Sequence, residues 1–405
     1  MAIPPSRRLH WGWRARLGLL LAAGLLALAA GEVALRALGV SYPNFYRWDE
    51  KTGTALRPGA SGWWFKENRV YVLINRAGLR DRDHDLRKPS GTFRIAVLGD
   101  SYAEAFQVKL EDAFFSVLER ELSACRRLAG KTIEAVNFGV SGHGTAQQLL
   151  MFRHRARDYQ PDLVVLAFVT GNDIRNNSRE LEGDPMRPYF TEQDGELILD
   201  DAFRRTRAFR RRQTSWARAY YQAVARSRLL QFGQIVKRRL LPPPGAPPIL
   251  KEESPGGELG LDDAIYLTPP DERWEKAWRV TELLIRSLGR EAEAQGAAFL
   301  LVLLTNGIQV HPDPALRETF RLRIGAEGLD LPNRRLASFA ARHGISYLDL
   351  VPAFRAEAER TGAFLHGFGA DLGGGHWNER GHALAGHLIA EEICRGLEDD
   401  DPGGF

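Results

Sequence analysis

The sequence predicts an α/β fold, a flavodoxin-like parallel sheet of about five strands with helices on both faces. Three observations carry this. Short apolar runs at residues 94–98, 132–138, 163–169, 299–304 and 345–350 alternate with helix-period segments. Such alternation implies parallel strands joined by right-handed crossovers. The first run, ending at Leu98, lacks a polar/apolar alternation, as a strand covered on both faces does. Residues able to do chemistry cluster where the runs end, at the strand edge where open α/β sheets bind ligands.

In chain order, the basic residues Arg7, Arg8, Arg14 and Arg16 precede an apolar run, residues 17–31, that has no charge before Glu32. Helical apolar spacing continues through Val33, Ala34, Leu35 and Leu38, and Trp11 and Trp13 stand where an interfacial belt would be. We expect a basic cytoplasmic tail (1–16) and an uncleaved membrane anchor (17–38). The alternative is an export signal cut near Ala27-Leu28-Ala29. Ser6-Arg7-Arg8 hints at a twin-arginine signal, which His10 and Trp11 continue poorly. On either reading the arginine-rich end stays inside and the remainder crosses the bilayer.

Residues 39–91 read as a β-rich lead-in: Trp63-Trp64-Phe65, then 70–74, then a turn at 75–81. A helix over 111–127 follows the first core strand, with Phe114, Phe115, Val117, Leu118 and Leu122 on one face. A second helix spans 146–159. Between 176 and 270 the strand–helix rhythm breaks into an insertion: a hairpin (Tyr189-Phe190, 197–199), an arginine-rich helix and the proline-rich stretch 242–248. It reads as a lid or specificity element beside the third strand's loop. Helices over 272–295, 331–343 and 379–397 complete a main domain spanning 92–398, before a tail at 399–405.

Four short blocks carry chemistry. The first strand stops at Gly99-Asp100-Ser101, which exposes a serine at the sheet's carboxyl edge. Asn137-Phe138-Gly139-Val140-Ser141-Gly142 follows the second strand, Gly171-Asn172-Asp173 the third, and His376-Trp377-Asn378 opens the last helix. In order and placement these blocks resemble those of the SGNH (GDSL-type) hydrolase family, over about residue 92 to the C-terminus. The lead-in is similar to that of membrane-anchored bacterial members. The resemblance implies Ser101 as nucleophile, His376 as general base, and an oxyanion hole from the Ser101 and Gly142 N–H groups and the Asn172 amide. With the basic end inside, we expect a single-pass inner-membrane protein with its main domain on the periplasmic or extracytoplasmic side.

The chemistry asks for these residue types. A serine hydroxyl needs a base within hydrogen-bond reach, and a tetrahedral oxyanion needs preorganised donors. His366 is the competing base, and Asn172 has a competing role as a helix cap. Asp100, His143 and Asp173 are candidates to line the substrate site. The sequence departs from the family pattern at Gly373, where an Asp three residues before the base is usual. Asp371 is the expected substitute, brought to His376 by the flexible Gly373-Gly374-Gly375, with a Ser–His dyad as the alternative. Ala105 stands where the family often has Gly.

The chain has 405 residues, a net charge of +4 and 2 cysteines. No zinc-finger spacing or RNP-like motif points to nucleic acid. Neither a P-loop nor a dinucleotide fingerprint is present, and no Cys/His cluster has zinc spacing, so no cofactor or metal is implied. The expected activity is hydrolysis of O-acyl, chiefly acetyl, esters on envelope carbohydrate or a small ester. The alternatives are transfer of that acyl group to an envelope polysaccharide and a catalytically degenerate carbohydrate-binding protein. The cluster Arg204, Arg205, Arg207, Arg210, Arg211 and Arg212 reads as a solvated helix face, or as a site for anionic lipid or acidic polysaccharide. Cys125 and Cys394 end helices that leave neighbouring catalytic loops and run a similar length. A disulfide therefore fits, and two separate buried thiols remain the alternative.

Overall fold

The computed structural model describes residues 12–240 and 260–398, in two units: residues 1–44 with 215–244, and residues 45–214 with 245–405. Arg7, Arg8, His10, Trp11, the stretch 242–248 and the tail 399–405 lie outside the described residues. The first helix, α1 (Trp13–Ala37), is 25 residues long with a mean hydropathy of 2.0, and none of it is buried. It is long and apolar enough to cross a membrane.

The lead-in makes two antiparallel pairs, β1 (Tyr46–Asp49) with β2 (Gly53–Leu56) and β3 (Ser61–Trp64) with β4 (Val70–Leu73). The core strands are β5 (Thr92–Gly99), β6 (Thr132–Asn137) and β7 (Leu163–Val169), later joined by β10 (Ala298–Leu304) and β11 (Ser346–Asp349). All pair in parallel in the order β11-β10-β7-β5-β6. Each core strand lies within two residues of its expected bounds. This is a flavodoxin-like winding. The second strand made lies on one side of the first and the third on the other, so the winding reverses and a crevice opens between the carboxyl ends of β5 and β7.

Successive side chains of a strand point to opposite faces, and each face has its own core. Ile95 and Val97 of β5 join one layer with α3 (Phe114–Leu122), α13 (Val351–Thr361) and α14 (Glu379–Glu398). Ala96 and Leu98 join the other with α4 (Thr145–His154), α10 (Glu272–Ala294) and α12 (Leu331–His343). Between β5 and α3 lies the single-turn α2 (Ser101–Glu104). α3 is shorter than expected and breaks into a 3-10 turn at Arg126–Leu128. Two helices missing from the sequence reading are α11 (Pro314–Ile324) and α13. Both carry proline in their first turn, and Asp313 caps α11, which are ordinary start signals.

First and last crossover helices share a face, and Cys125 and Cys394 form the disulfide there with Cα atoms 5.8 Å apart. In the insertion, α5 (Asp173–Asn176), α6 (Arg179–Glu182), the pair β8 (Tyr189–Gln193) and β9 (Glu196–Asp200), and α7 (Arg207–Arg212) belong to the main unit. Its arginines are partly in structural use: Arg204 pairs with Asp201 at 2.9 Å, and Arg212 lies 4.5 Å from the Trp48 ring centre. α8 (Ser215–Arg226) and α9 (Arg228–Leu240) belong instead with α1. Glu32 of α1 caps α9, accepting from the Ser227 hydroxyl and the N–H groups of Arg228 and Leu229, each at 3.0 Å. The stretch read as one lid is therefore split between the units.

Candidate active site

β5 ends at Gly99 because the backbone passes too close to its neighbours for a side chain: a Cβ there would lie 2.7 Å from Cβ of Ala103. The turn makes Ser101 the first residue of α2, and Asp100 caps that helix by accepting from the Tyr102 N–H at 2.9 Å. Asn137, at the end of β6, donates to the Ala103 carbonyl at 2.8 Å and accepts from the Gly139 N–H. The second loop is thereby tied to α2. Gly142 sits in that loop at φ 76°, a conformation that favours glycine. Among the described residues, the N–H groups of Ser101 and Gly142 have no protein acceptor.

His376 precedes α14, whose cap Asn378 accepts from the Arg380 N–H at 3.0 Å. Its Nε2 lies 2.8 Å from Oγ of Ser101. Its Nδ1 lies 2.7 Å from Oε1 of Glu67, and its backbone N–H donates to the other Glu67 oxygen at 2.9 Å. With Nδ1–H donating to the carboxylate, Nε2 is left as acceptor for the serine proton, the tautomer a general base needs.

The carboxylate bonded to His376 is thus that of Glu67, in the turn between β3 and β4, and not that of Asp371. Asp371 is exposed, and none of its side-chain atoms bonds to His376. Gly373-Gly374-Gly375 does form a bulged loop, with Gly373 at φ 91°, but it carries Asp371 outward. Glu67 has φ 61°, unusual for a residue with a side chain. Gln107 donates to Glu67 at 3.3 Å, and Asn68 donates to the Gln107 carbonyl at 2.9 Å, so the turn is fastened to the segment after α2. Burial would raise the Glu67 carboxyl, but the His376 charge and hydrogen bonds from His376 and Gln107 hold it down at about 2. It is ionised wherever the imidazole works.

Ser101, Gly142, Asn172 and His376 are partly open to solvent, whereas Asp100, His143 and Asp173 are buried. None of those three lines an open site. Asp100 accepts from the Asn172 amide Nδ2 at 3.1 Å, orienting it. The Asn172 side chain makes no helix-cap bond. His143 turns into the lead-in, its Nε2 at 2.9 Å from the Thr54 carbonyl, and burial pushes its pKa down to about 3. Asp173 accepts from the Val169 N–H at 3.0 Å; burial, then repulsion from Asp100, raises it well above the usual range.

His366 is buried and serves as a support. Its Nδ1 donates to the Gly375 carbonyl at 2.8 Å, and its Nε2 meets the Thr305 hydroxyl at 2.7 Å. Thr305 also accepts from Trp377 Nε1 at 2.7 Å, and Tyr102 donates to the Gly375 carbonyl at 3.2 Å. The peptide carrying His376 is thus held from both sides. Ala105 adopts φ 54°, so the residue that stands where glycine is common pays some strain.

No family model and no curated protein matches the chain. Solved structures do resemble it. An acetylxylan esterase of Geobacillus stearothermophilus is 14% identical with a TM-score of 0.37, over 74% of this chain and 93% of that one. The lipase/acylhydrolase of Enterococcus faecalis is 14% identical with a TM-score of 0.35, over 75% and 96%. An alpha/beta hydrolase from the metagenome of Lake Arreo is 15% identical with a TM-score of 0.36, over 75% and 95%. At these levels the likeness says nothing of chemistry, which rests on Ser101, His376 and Glu67.

Proposed function

We propose that the protein is a serine esterase that cleaves O-acyl esters through an acyl-serine intermediate. The observation that carries this is the continuous hydrogen-bonded line from Ser101 Oγ through His376 to Glu67, at 2.8 and 2.7 Å. As Oγ attacks the ester carbonyl, its proton passes to Nε2. The tetrahedral oxyanion is received by the Ser101 and Gly142 N–H groups and the Asn172 amide, donors commonly worth ~3 kcal/mol of barrier each. Collapse expels the alcohol, which takes the proton from Nε2. Water then attacks the acyl-serine, with His376 again as base, and releases the acid. Glu67 supplies the carboxylate that Gly373 leaves out, which speaks against a catalytically degenerate protein.

The preferred substrate class is acetylated carbohydrate of the cell envelope. It is supported by the helix α1, which we read as an anchor holding the main unit on the extracytoplasmic side. A fluorophosphonate probe should label the protein, and Ser101→Ala should abolish labelling while the fold persists. Labelling unchanged in that variant would reject Ser101 as nucleophile. Mass spectrometry of products from acetylated oligosaccharides, with and without acceptor sugars, separates hydrolysis from transfer.

A further inference from the structure

We propose that α8, α9 and the end of α1 form a collar that binds the anionic phospholipid headgroups of the bilayer α1 crosses. The proposal rests on reading α1 as a membrane helix, and goes beyond it. At ~1.5 Å per residue, residues 17–37 span about 30 Å, so the last turn of α1 ends at headgroup level. α9 begins beside that turn. Besides the Glu32 cap, Arg36 donates to the Arg226 carbonyl at 2.6 Å, and the Tyr42 N–H donates to the Gln231 side chain at 3.1 Å. The helical hairpin is therefore fastened to the exit point of the anchor.

Its composition suits that level. Neither helix contains Asp or Glu, whereas in sequence they carry Arg218, Arg226, Arg228, Lys237, Arg238 and Arg239. Large apolar groups stay outside: Trp216 is 87% exposed, Tyr220 50% and Phe232 45%. Of the side chains described in the two helices, only Val224 and Gln231 are buried. A helix that shows aromatics on its surface and only cations among its charges matches an interface of apolar chains under negative headgroups. Continuity with the anchor favours the bilayer over a second copy or an acidic glycan, since α1 already delivers this surface to the membrane.

The test uses the full chain in nanodiscs of phosphatidylcholine, alone or mixed equally with phosphatidylglycerol. One environment-sensitive fluorophore is placed at Trp216→Cys, Phe232→Cys or Leu25→Cys, and spin labels are placed on lipid headgroups or chain ends. We expect Leu25→Cys to be quenched from the chain ends in both membranes. Trp216→Cys and Phe232→Cys should be quenched from the headgroups, more strongly in the mixture and less so in high salt. Adding Arg218→Gln or Lys237→Gln should lower the ratio of seated to lifted hairpin roughly fivefold per cation. Quenching at Leu25→Cys alone would overturn the collar and leave the anchor standing. No quenching at Leu25→Cys would overturn both. Equal quenching in the two membranes contradicts recognition of anionic lipid. Protection from aqueous iodide without lipid quenching contradicts the bilayer as occupant and indicates a second copy or another macromolecule.

Discussion

At the scale of residues, the proposed activation of Ser101 depends on proton position. Nε2 of His376 can accept only while Nδ1 carries its proton toward Glu67, and Glu67 can hold it there because it stays ionised down to about pH 2. Residues acting as one unit are non-additive when removed. Ser101→Ala and His376→Ala should each remove nearly all turnover of a chromogenic acetate ester, and the double variant should lose little more. Multiplicative losses in steady-state rates would show that the two do not act together. Buried Glu104 predicts a second effect. It accepts from the Tyr46 hydroxyl at 2.8 Å and the Ser141 N–H at 3.2 Å, and burial pushes it up to about 8. The folded chain therefore holds this proton more tightly than the unfolded chain. Its contribution to stability is complete below the ordinary carboxylate range and is lost as pH rises through about 8. Burial also raises Asp100 and Asp173, with the same sign; Glu67, lowered, acts only in acid. Thermal melts of Glu104→Gln should fall less steeply than the parent as pH rises from the ordinary carboxylate range to about 8; parallel profiles across that window would contradict this.

At the scale of elements, the sequence was most informative where one local pattern implies one structure. Four blocks at the ends of β5, β6 and β7 and before α14 are each contiguous, so strand, turn and reactive residue can be read together. The partner of His376 was not legible in that way. Glu67 lies 309 residues from His376, in a hairpin turn whose local sequence is that of any polar turn. The usable signal was negative: glycine at 373 leaves the base without its usual acid, which should direct the search to carboxylates in other elements. Asp371 is close to His376 in sequence, but the glycines that make its loop flexible also let it turn to solvent. The candidate lining residues failed for a related reason. Adjacency to Ser101, Gly142 and Asn172 does not decide which way a side chain points, and α2, the Gly142 loop and α5 turn Asp100, His143 and Asp173 inward.

At the scale of the molecule, the lead-in from Phe45 onward belongs to the same unit as the candidate site. Tyr46 bonds Glu104 of α2, Asp81 accepts from the Asn137 N–H at 2.8 Å, and Phe45 and Trp64 pack on Phe106 at 5.0 and 5.2 Å between ring centres. These bonds hold the hairpin that delivers Glu67. The disulfide acts at the other end of the core, since Cys125 precedes the start of β6 and Cys394 lies near the end of α14. It closes a separation of 269 residues, for which chain-entropy reasoning allows up to roughly 5 kcal/mol. Paired Cys125→Ser and Cys394→Ser substitutions should lower the denaturation midpoint while leaving turnover of the folded protein near the parent value. An unchanged midpoint would mean that the bond contributes nothing to stability.

The most direct test of the central claim compares Glu67→Gln with Asp371→Asn in one assay of turnover on an acetate ester. Glu67→Gln keeps shape and removes the charge that fixes the imidazole, so kcat should fall by about three to four orders of magnitude with KM little changed. Asp371→Asn should change kcat by less than about threefold, well under the tenfold that ~1.4 kcal/mol represents. The reverse pattern, with Glu67→Gln active and Asp371→Asn inactive, would contradict the assignment of Glu67.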